Sequence, residues 1–217
     1  SNNVAVGYRA AGSNTTGANN TAVGTCALLT NTTGARNTGI GQNALLVNTT
    51  GANNTAVGQG ALEANTTASD NAAFGHDSLV ANTTGTQNAA YGYRSMPANT
   101  TGDKNTAIGH QALGANTTAD NNIAVGFNAS VANTTGYQNV VVGAEAFNTN
   151  TTGNSNTTIG HKAMFSNTTA AKNTAVGWNS LSTNTTGAHN VAVGARAGTA
   201  NTTGTQNTFV GGDYNGG

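Results

Sequence analysis

Residues 20–36 read NTAVGTCALLTNTTGAR, and residues 54–70 read NTAVGQGALEANTTASD. Both stretches follow one 17-residue pattern, N-T-A-V-G-x-x-A-L-x-x-N-T-T-G-x-x. The glycine after N-T-A-V, here called the register glycine, returns every 17 residues at thirteen positions from Gly7 to Gly211 without insertion or deletion. The sequence therefore predicts a single repeat array over residues 1–217, and its copies show what each unit requires.

A 17-residue unit is too short for a helix pair or a propeller blade, but it suits one coil of a parallel β-solenoid. The Thr, Ala and Val residues before the register glycine favour strand, and no window has the apolar spacing of a helix. We therefore expect an all-β parallel β-solenoid of about thirteen coils. Strands are predicted near N-T-A-V and x-A-L-x, with a third short extended piece at N-T-T.

Corners of each coil are predicted at its two recurrent glycines, because tight corners need positive φ or close backbone approach. The register glycines chosen as representative corners are Gly24, Gly41, Gly58, Gly109 and Gly177. The second glycine, which follows N-T-T, is replaced by alanine at Ala68, Ala119 and Ala170. The second corner is therefore expected to be less strained.

Two apolar columns run through the array and are the predicted core. The Val column, directly before the register glycine, consists of Val6, Val23, Ile40, Val57, Phe74, Tyr91, Ile108, Val125, Val142, Ile159, Val176, Val193 and Val210. The Leu column, four residues after it, includes Leu28, Leu45, Leu62, Leu79, Met96, Leu113, Phe147, Met164 and Leu181. Their burial alone does not offset the backbone entropy of a coil, so hydrogen bonds between coils must contribute.

Charge is scarce and confined to four variable columns. Seven Lys and Arg balance seven Asp and Glu, so 6% of residues are charged, against about a quarter in ordinary globular domains. Seven scattered cations give neither a nucleic-acid footprint nor a basic membrane-binding face. No stretch reaches the roughly 20 apolar residues of a membrane span. The charged columns should face outward, and neither a nucleic acid nor a membrane is expected as a partner.

The N-T-T triplet admits four interpretations. Identical Asn and Thr side chains stacked about 4.8 Å apart can form structural hydrogen-bond ladders. Each triplet also matches an N-glycosylation acceptor, an ice-binding surface would use regular Thr rows, and the column could contact another chain. Against ice binding, adjacent threonines of a strand point to opposite faces. The representative ladder residues are Asn31, Thr32, Thr33, Asn48, Thr49, Thr50, Asn116, Thr117 and Thr118.

Catalytic and metal-binding chemistry is not expected. His76, His110 and His161 share the column after the register glycine, but they lie two or three coils apart, roughly 10 to 14 Å, which is too far for one metal ion. Cys26 is the only cysteine, and no recurrent carboxylate pair suits acid–base catalysis. We therefore predict a protein that is not an enzyme and uses no cofactor.

Aromatic residues in that same column are candidate contacts for a cell-surface glycan or receptor, with ordinary corner packing as the alternative. The four candidates are Tyr8, Tyr93, Phe127 and Trp178.

The pattern N-T-A-[VI]-G-x-x-A-L followed by N-T-T-G resembles the repeats of bacterial and phage surface fibres that often precede an endosialidase-type chaperone domain. It is similar, more distantly, to the S-x-A-[VI]-G units in the heads of trimeric autotransporter adhesins, whose unit is shorter. The resemblance implies a left-handed parallel β-roll, a homotrimer and display outside the cell, on a cell surface or a virion fibre.

The function expected from the sequence is a non-enzymatic extracellular fibre segment that is structural and adhesive. A rigid solenoid would hold variable side chains in columns, so that many weak contacts act in parallel. One alternative is a filament subunit whose coils stack end to end, with other copies of the chain as its partners. The other is an ice-binding solenoid that uses its Thr ladders.

Overall fold

A computed structural model of the chain describes residues 2–212 and confirms the predicted fold class, an all-β parallel β-solenoid. The chain divides into two compact units, Ser1–His110 and Gln111–Gly217. Within each unit, every coil contributes one three-residue strand that pairs in parallel with the strand 17 residues later. No described residue is helical.

The strands occupy the same three repeat positions throughout. In the first unit they are β1 Val4–Val6, β2 Thr21–Val23, β3 Thr38–Ile40, β4 Thr55–Val57, β5 Ala72–Phe74, β6 Ala89–Tyr91 and β7 Thr106–Ile108. In the second unit they are β8 Ile123–Val125, β9 Val140–Val142, β10 Thr157–Ile159, β11 Thr174–Val176, β12 Val191–Val193 and β13 Thr208–Val210.

The Val column was predicted to lie in the core, and this prediction is wrong. Successive strand side chains alternate between faces, so only the middle residue of each strand points inward. In β2 that residue is Ala22, which is fully buried, while Thr21 and Val23 are half-buried on the outer face. In β7 the Val-column residue Ile108 is 41% exposed. The interior of the coil is narrow beside the strand, so its inward position suits a small side chain such as alanine.

The Leu column is buried as predicted, but the x-A-L-x segment is a series of turns rather than a second strand. Two of its residues have left-handed backbone, as at Cys26 with φ 58° and Leu28 with φ 50°. A strand cannot continue through such residues. The interruption lets the neighbours Ala27 and Leu28 both face the interior, which strict alternation would forbid. The N-T-T segment is likewise not a strand.

The register glycine ends each strand in a conformation that other residues avoid. Gly41 has φ 132°, and a Cβ built on it would lie 2.5 Å from the carbonyl oxygen of Gly58 in the next coil. The other representative corners share this conformation, Gly24, Gly58, Gly109 and Gly177 having φ between 131° and 137°. The second glycine lacks positive φ and is replaced by buried alanine at Ala68, so its backbone conformation suits other residues. A Cβ built on Gly34 would nevertheless clash with the carbonyl oxygen of Gly51 and with Asn31 Oδ1, so close approach favours glycine there.

Charged residues lie on the surface in the described part of the chain, as predicted, since none of them is buried. Asp213, which belongs to one of the charged columns, lies outside the described residues.

Candidate functional surfaces

The N-T-T asparagines form a buried ladder along the coils, which confirms the predicted Asn ladder. Asn48 Nδ2 donates to Asn31 Oδ1 at 2.8 Å and to the carbonyl oxygen of Gly51 at 3.0 Å. Its own Oδ1 accepts from Asn65 Nδ2 at 2.8 Å. In the second unit, Asn116 Nδ2 donates to the carbonyl oxygen of Ala119 at 3.2 Å. Each amide thus bonds within its coil and to a neighbouring coil.

A second ladder is formed by the asparagines that precede the strands. The backbone N–H of Asn37 donates to Asn20 Oδ1 at 2.8 Å, one coil earlier. Asn20 Nδ2 donates to the carbonyl oxygen of Gly34 at 2.8 Å, and that oxygen also accepts from Asn31 Nδ2 at 3.0 Å. The two ladders therefore meet at the carbonyl of the second glycine in each coil, and they satisfy polar groups that would otherwise be costly to bury.

The first threonine of each triplet joins a further set of contacts between coils. The backbone N–H groups of Thr32, Thr33 and Gly34 converge on the carbonyl oxygen of Thr49, at 3.0, 3.1 and 3.3 Å. Thr32 Oγ1 donates to the same oxygen at 3.1 Å. Successive N–H groups that point into one concavity form a nest. Here each nest holds a carbonyl of the next coil, and Thr117 Oγ1 bonds similarly to Thr134.

The side chain of the second threonine lies outside this network, although its backbone N–H belongs to the nest. Thr33, Thr50 and Thr118 are exposed, and no hydroxyl of this column makes a hydrogen bond within the described residues. The column is nevertheless threonine in all twelve N-T-T triplets. It is an unbroken row of exposed methyl and hydroxyl groups within each unit.

The geometry bears directly on the N-glycosylation interpretation of the triplets. Asn31 and Asn48 are 1% and 0% exposed, and their Nδ2 atoms are the donors of the ladder. A glycan joined to that nitrogen would have no path to solvent and would disrupt these bonds. The folded solenoid therefore does not present these buried amide nitrogens to a glycosyltransferase.

A second surface, which we call the sheet face, is formed by the two outward residues of every strand. In the first unit, exposed members of its Val column are Val6, Ile40, Tyr91 and Ile108; in the second they are Val142, Ile159, Val193 and Val210. The other outward position holds Thr, Ala, Val or Ile. No strand residue is charged. Sequence reasoning missed this surface, although Thr and Val two residues apart must share a face.

The four candidate aromatic contacts are all exposed. Tyr8, Tyr93, Phe127 and Trp178 are 72, 49, 50 and 45% exposed. In the first unit Tyr93 stacks between two imidazoles, with ring centroids 5.5 Å from His76 and 5.3 Å from His110.

In the second unit the guanidinium of Arg196 lies 4.8 Å from the centre of the Trp178 ring. The structure thus adds histidine and arginine neighbours to two of the candidate contacts.

The histidines form no metal site in the described residues. His76 and His110 have the ring of Tyr93 between them, and His76 Nδ1 instead lies 3.2 Å from Oδ2 of Asp77. Within residues 2–212 no group of three or more His, Cys, Asp or Glu side chains could hold a metal ion. The same residues contain no helix able to span a membrane.

Comparison with protein-family models, with curated proteins and with solved structures finds no match for this chain.

Proposed function

We propose that this chain is a non-enzymatic structural segment of an extracellular fibre, which associates with copies of itself through the sheet face and displays its variable columns to adhesive partners. The exposed, uncharged sheet face is the observation that carries the proposal. Solvent-facing strands of soluble proteins usually carry polar side chains. Here Ile108 and Ile159 are 41% and 39% exposed on the outer face of a parallel sheet.

The interior of the coil does not need this apolar face, because it has its own core and ladders. Leu45 and Leu62 are fully buried without help from the Val column, and the buried ladder asparagines are hydrogen-bonded. Parallel sheets are usually covered on both faces. Another copy of the chain could cover the outer face of the sheet, which fits this rule. Two identical uncharged faces can pack together without burying a charged side chain.

A homotrimer with its sheet faces turned toward a common axis is the expected assembly. Cyclic symmetry gives each copy the same environment and leaves no sheet face uncovered. The column after the register glycine would then remain available to solvent or to a partner. Tyr93 and Trp178 lie in this column, and repetition across three copies would turn weak contacts with a glycan or receptor into avid binding.

Light scattering on a size-exclusion column tests the assembly. We expect about 64 kDa, three times the chain mass of 21.4 kDa, by the closed symmetry that oligomers favour. The double variant Ile40→Thr with Ile108→Thr should shift the mass toward 21.4 kDa, since both residues keep a β-branched shape but lose apolar surface. A matched control is Thr33→Val with Thr50→Val, which changes exposed residues away from the sheet face.

Other masses have definite meanings in the same experiment. A wild-type chain that is monomeric at all concentrations contradicts the proposed self-association. Very large particles of mixed length would instead favour the filament alternative, in which coils stack end to end.

Ice binding is a second candidate, favoured by the unbroken row of exposed second threonines. The row repeats at about the strand spacing of 4.8 Å. If it binds ice, the wild-type chain should show thermal hysteresis that Thr33→Lys with Thr50→Lys reduces while the circular dichroism spectrum stays unchanged. Absence of hysteresis in the wild-type chain would eliminate this candidate.

A further inference from the structure

Two adjacent coils of the first unit depart from the common sheet-face pattern in a coordinated way. In β5 the outward residues are Ala72 and Phe74, and in β6 they are Ala89 and Tyr91. The flanking strands β4 and β7 have threonine followed by valine or isoleucine at these positions. The two strands with an aromatic residue in the Val column therefore have alanine at the other outward position.

The two rings form one continuous feature of the sheet face. Phe74 and Tyr91 stack with ring centroids 4.8 Å apart and planes 6° from parallel. Both rings are accessible to solvent, since Tyr91 is 40% exposed and Phe74 is half-buried. Beside them Ala72 and Ala89 have only methyl side chains, which are smaller than the threonines of the flanking coils and so define a recess two coils high. The sheet face thus has a projection and a recess of the same height on the same coils.

We propose that the rings of one copy lie over the alanines of a neighbouring copy, and that this contact fixes the copies in a parallel, coil-for-coil register. The proposal rests on the self-association proposed above and names the residues that set its register. In a cyclic assembly whose axis runs along the coils, one edge of each sheet face meets the opposite edge of the next copy at equal height. Phe74 then meets Ala72, and Tyr91 meets Ala89, of the neighbouring copy.

Other registers fit the side chains less well. A slip of one coil, about 4.8 Å, would place Tyr91 over Thr106, and a slip of two coils would place both rings over β-branched residues. A slip of this kind turns the closed ring into an open association, and the rest of the face does not disfavour it, because its Thr and Val positions are nearly the same in each coil. The rings and alanines thus specify a register between copies that a regular repeat does not specify.

The charge of the face suits a second copy as the occupant. Seven strands of the first unit span about 29 Å, which makes a face on the order of 300 Å², within the range of the largest apolar patches of monomers, which are often functional. None of the strand residues is charged. An acidic or basic partner would find no complementary charge here, whereas an identical face buries apolar surface on both sides.

Filling the recess is the first test. We expect Ala72→Val with Ala89→Val to raise the dissociation constant of the oligomer at least tenfold, measured by sedimentation over a dilution series. Valine suits the backbone of this column, where Val140 and Val191 occur naturally. The matched control, Thr38→Val with Thr55→Val, fills the same column on coils that have no ring and should leave dissociation within threefold of wild type.

Adding Phe74→Val and Tyr91→Val to the filled recess should restore association, because the projection is removed together with its recess. If the filled variant associates like the control, the proposal is wrong. It is also wrong if the filled variant unfolds earlier as a single chain, because the alanines would then serve packing within their own copy.

Disulfide trapping is the second test, and it reads the register directly. In a Cys26→Ser background, Thr55→Cys chains are refolded with Val57→Cys chains and oxidised, and a cross-linked heterodimer is expected. Thr55→Cys with Val23→Cys, two coils away, should cross-link at most one tenth as much, because disulfides need Cα atoms within about 7 Å. Equal cross-linking of both pairs in a 64 kDa particle, three times the chain mass of 21.4 kDa, contradicts the proposed register but is consistent with self-association. A monomeric wild-type chain contradicts both proposals.

Discussion

The Leu column and the Val column contain similar side chains once per coil, yet the first is buried and the second faces outward. Leu62 is fully buried, whereas Ile108 is 41% exposed. Both columns lie within six residues of the register glycine, so hydrophobicity and spacing do not distinguish them. The difference comes from the backbone. In a strand the side chain next to the inward alanine points outward, so the Val column faces away from the core. In the x-A-L-x segment, left-handed residues interrupt this alternation and direct the Leu side chain inward. Four changes test this comparison.

The largest effect is expected when the backbone that separates the two columns is disturbed. Gly41→Val places a β-branched residue at φ 132°, with its Cβ 2.5 Å from the carbonyl oxygen of Gly58. We expect a loss of more than about 4 kcal/mol in the free energy of unfolding, measured by urea unfolding followed by circular dichroism. Ala68→Gly is the control, because glycine and alanine both occur in its column and the change introduces no Cβ. Equal losses in both variants would contradict the assigned roles of the two corners.

Truncating the inward column comes next. Leu62→Ala should lower the free energy of unfolding by about 2 to 5 kcal/mol, because it leaves a cavity in the core. Leu62 has φ 51°, a conformation that costs a non-glycine residue roughly 1 to 2 kcal/mol. Leu62→Gly should therefore be no less stable than Leu62→Ala, although glycine removes one more carbon. Gly198 occupies this column naturally with φ 67°.

The urea midpoints of Leu62→Gly and Leu62→Ala test whether the left-handed conformation governs the inward column. If Leu62→Gly unfolds at lower urea than Leu62→Ala, the left-handed conformation does not govern the inward column.

Ionising the ladder beside the inward column should give a smaller, pH-dependent effect. In Asn48→Asp the introduced carboxyl is buried and faces Asn31 Oδ1 and the carbonyl oxygen of Gly51, both acceptors. One carboxyl oxygen keeps the bond from Asn65 Nδ2, but burial and the two acceptors at the other oxygen raise the pKa of the new carboxyl above its unfolded value of about 3.9. Its protonated form is favoured in the folded state, so stability is greatest below about pH 3.9 and falls as pH rises to the folded pKa.

Urea midpoints at several pH values measure this dependence. Asn19→Asp is the control, because Asn19 is exposed and an exposed carboxyl should show no such decline. A flat profile for Asn48→Asp would mean that the ladder tolerates a buried carboxylate.

The smallest effect is expected in the outward column. Val57→Ala removes two methyl groups from a half-buried position, and the free energy of unfolding of the single chain should change by less than about 1 kcal/mol. Urea unfolding at concentrations below self-association measures it. A loss as large as that of Leu62→Ala would show that the Val column belongs to the core of its own coil.

The sequence predicted the features that depend on recurrence and missed those that depend on backbone conformation. Repeated glycine and asparagine were enough to predict the coils, the corner at Gly41 and the ladder through Asn31 and Asn48. The outward direction of Ile108 was predictable in principle from strand alternation. It was missed because apolar columns were equated with the core.

The turns of the x-A-L-x segment had a weaker signal. Leucine at φ near 50° contradicts its usual preference, so Leu28 itself suggests a strand. Glycine appears in the two left-handed columns of this segment only at Gly60 and Gly198. The first column also has Asn43, Asn128 and Asn179, and asparagine is enriched at positive φ, so a weak indication was available.

The meeting of Asn20 and Asn31 at the carbonyl of Gly34 had no signal, because it depends on how one coil closes in three dimensions.

The hydrogen bonds of the N-T-T segment run in two opposite directions along each unit. The side-chain amide of Asn48 donates to the preceding coil, whereas the hydroxyl of Thr32 and the nest of N–H groups donate to the following coil. Their dipoles therefore oppose each other. An α-helix aligns its peptide dipoles and accumulates partial charge at its ends. A coil added to this array contributes dipoles of both senses, so the field along the axis grows more slowly with length than it would if every dipole were aligned.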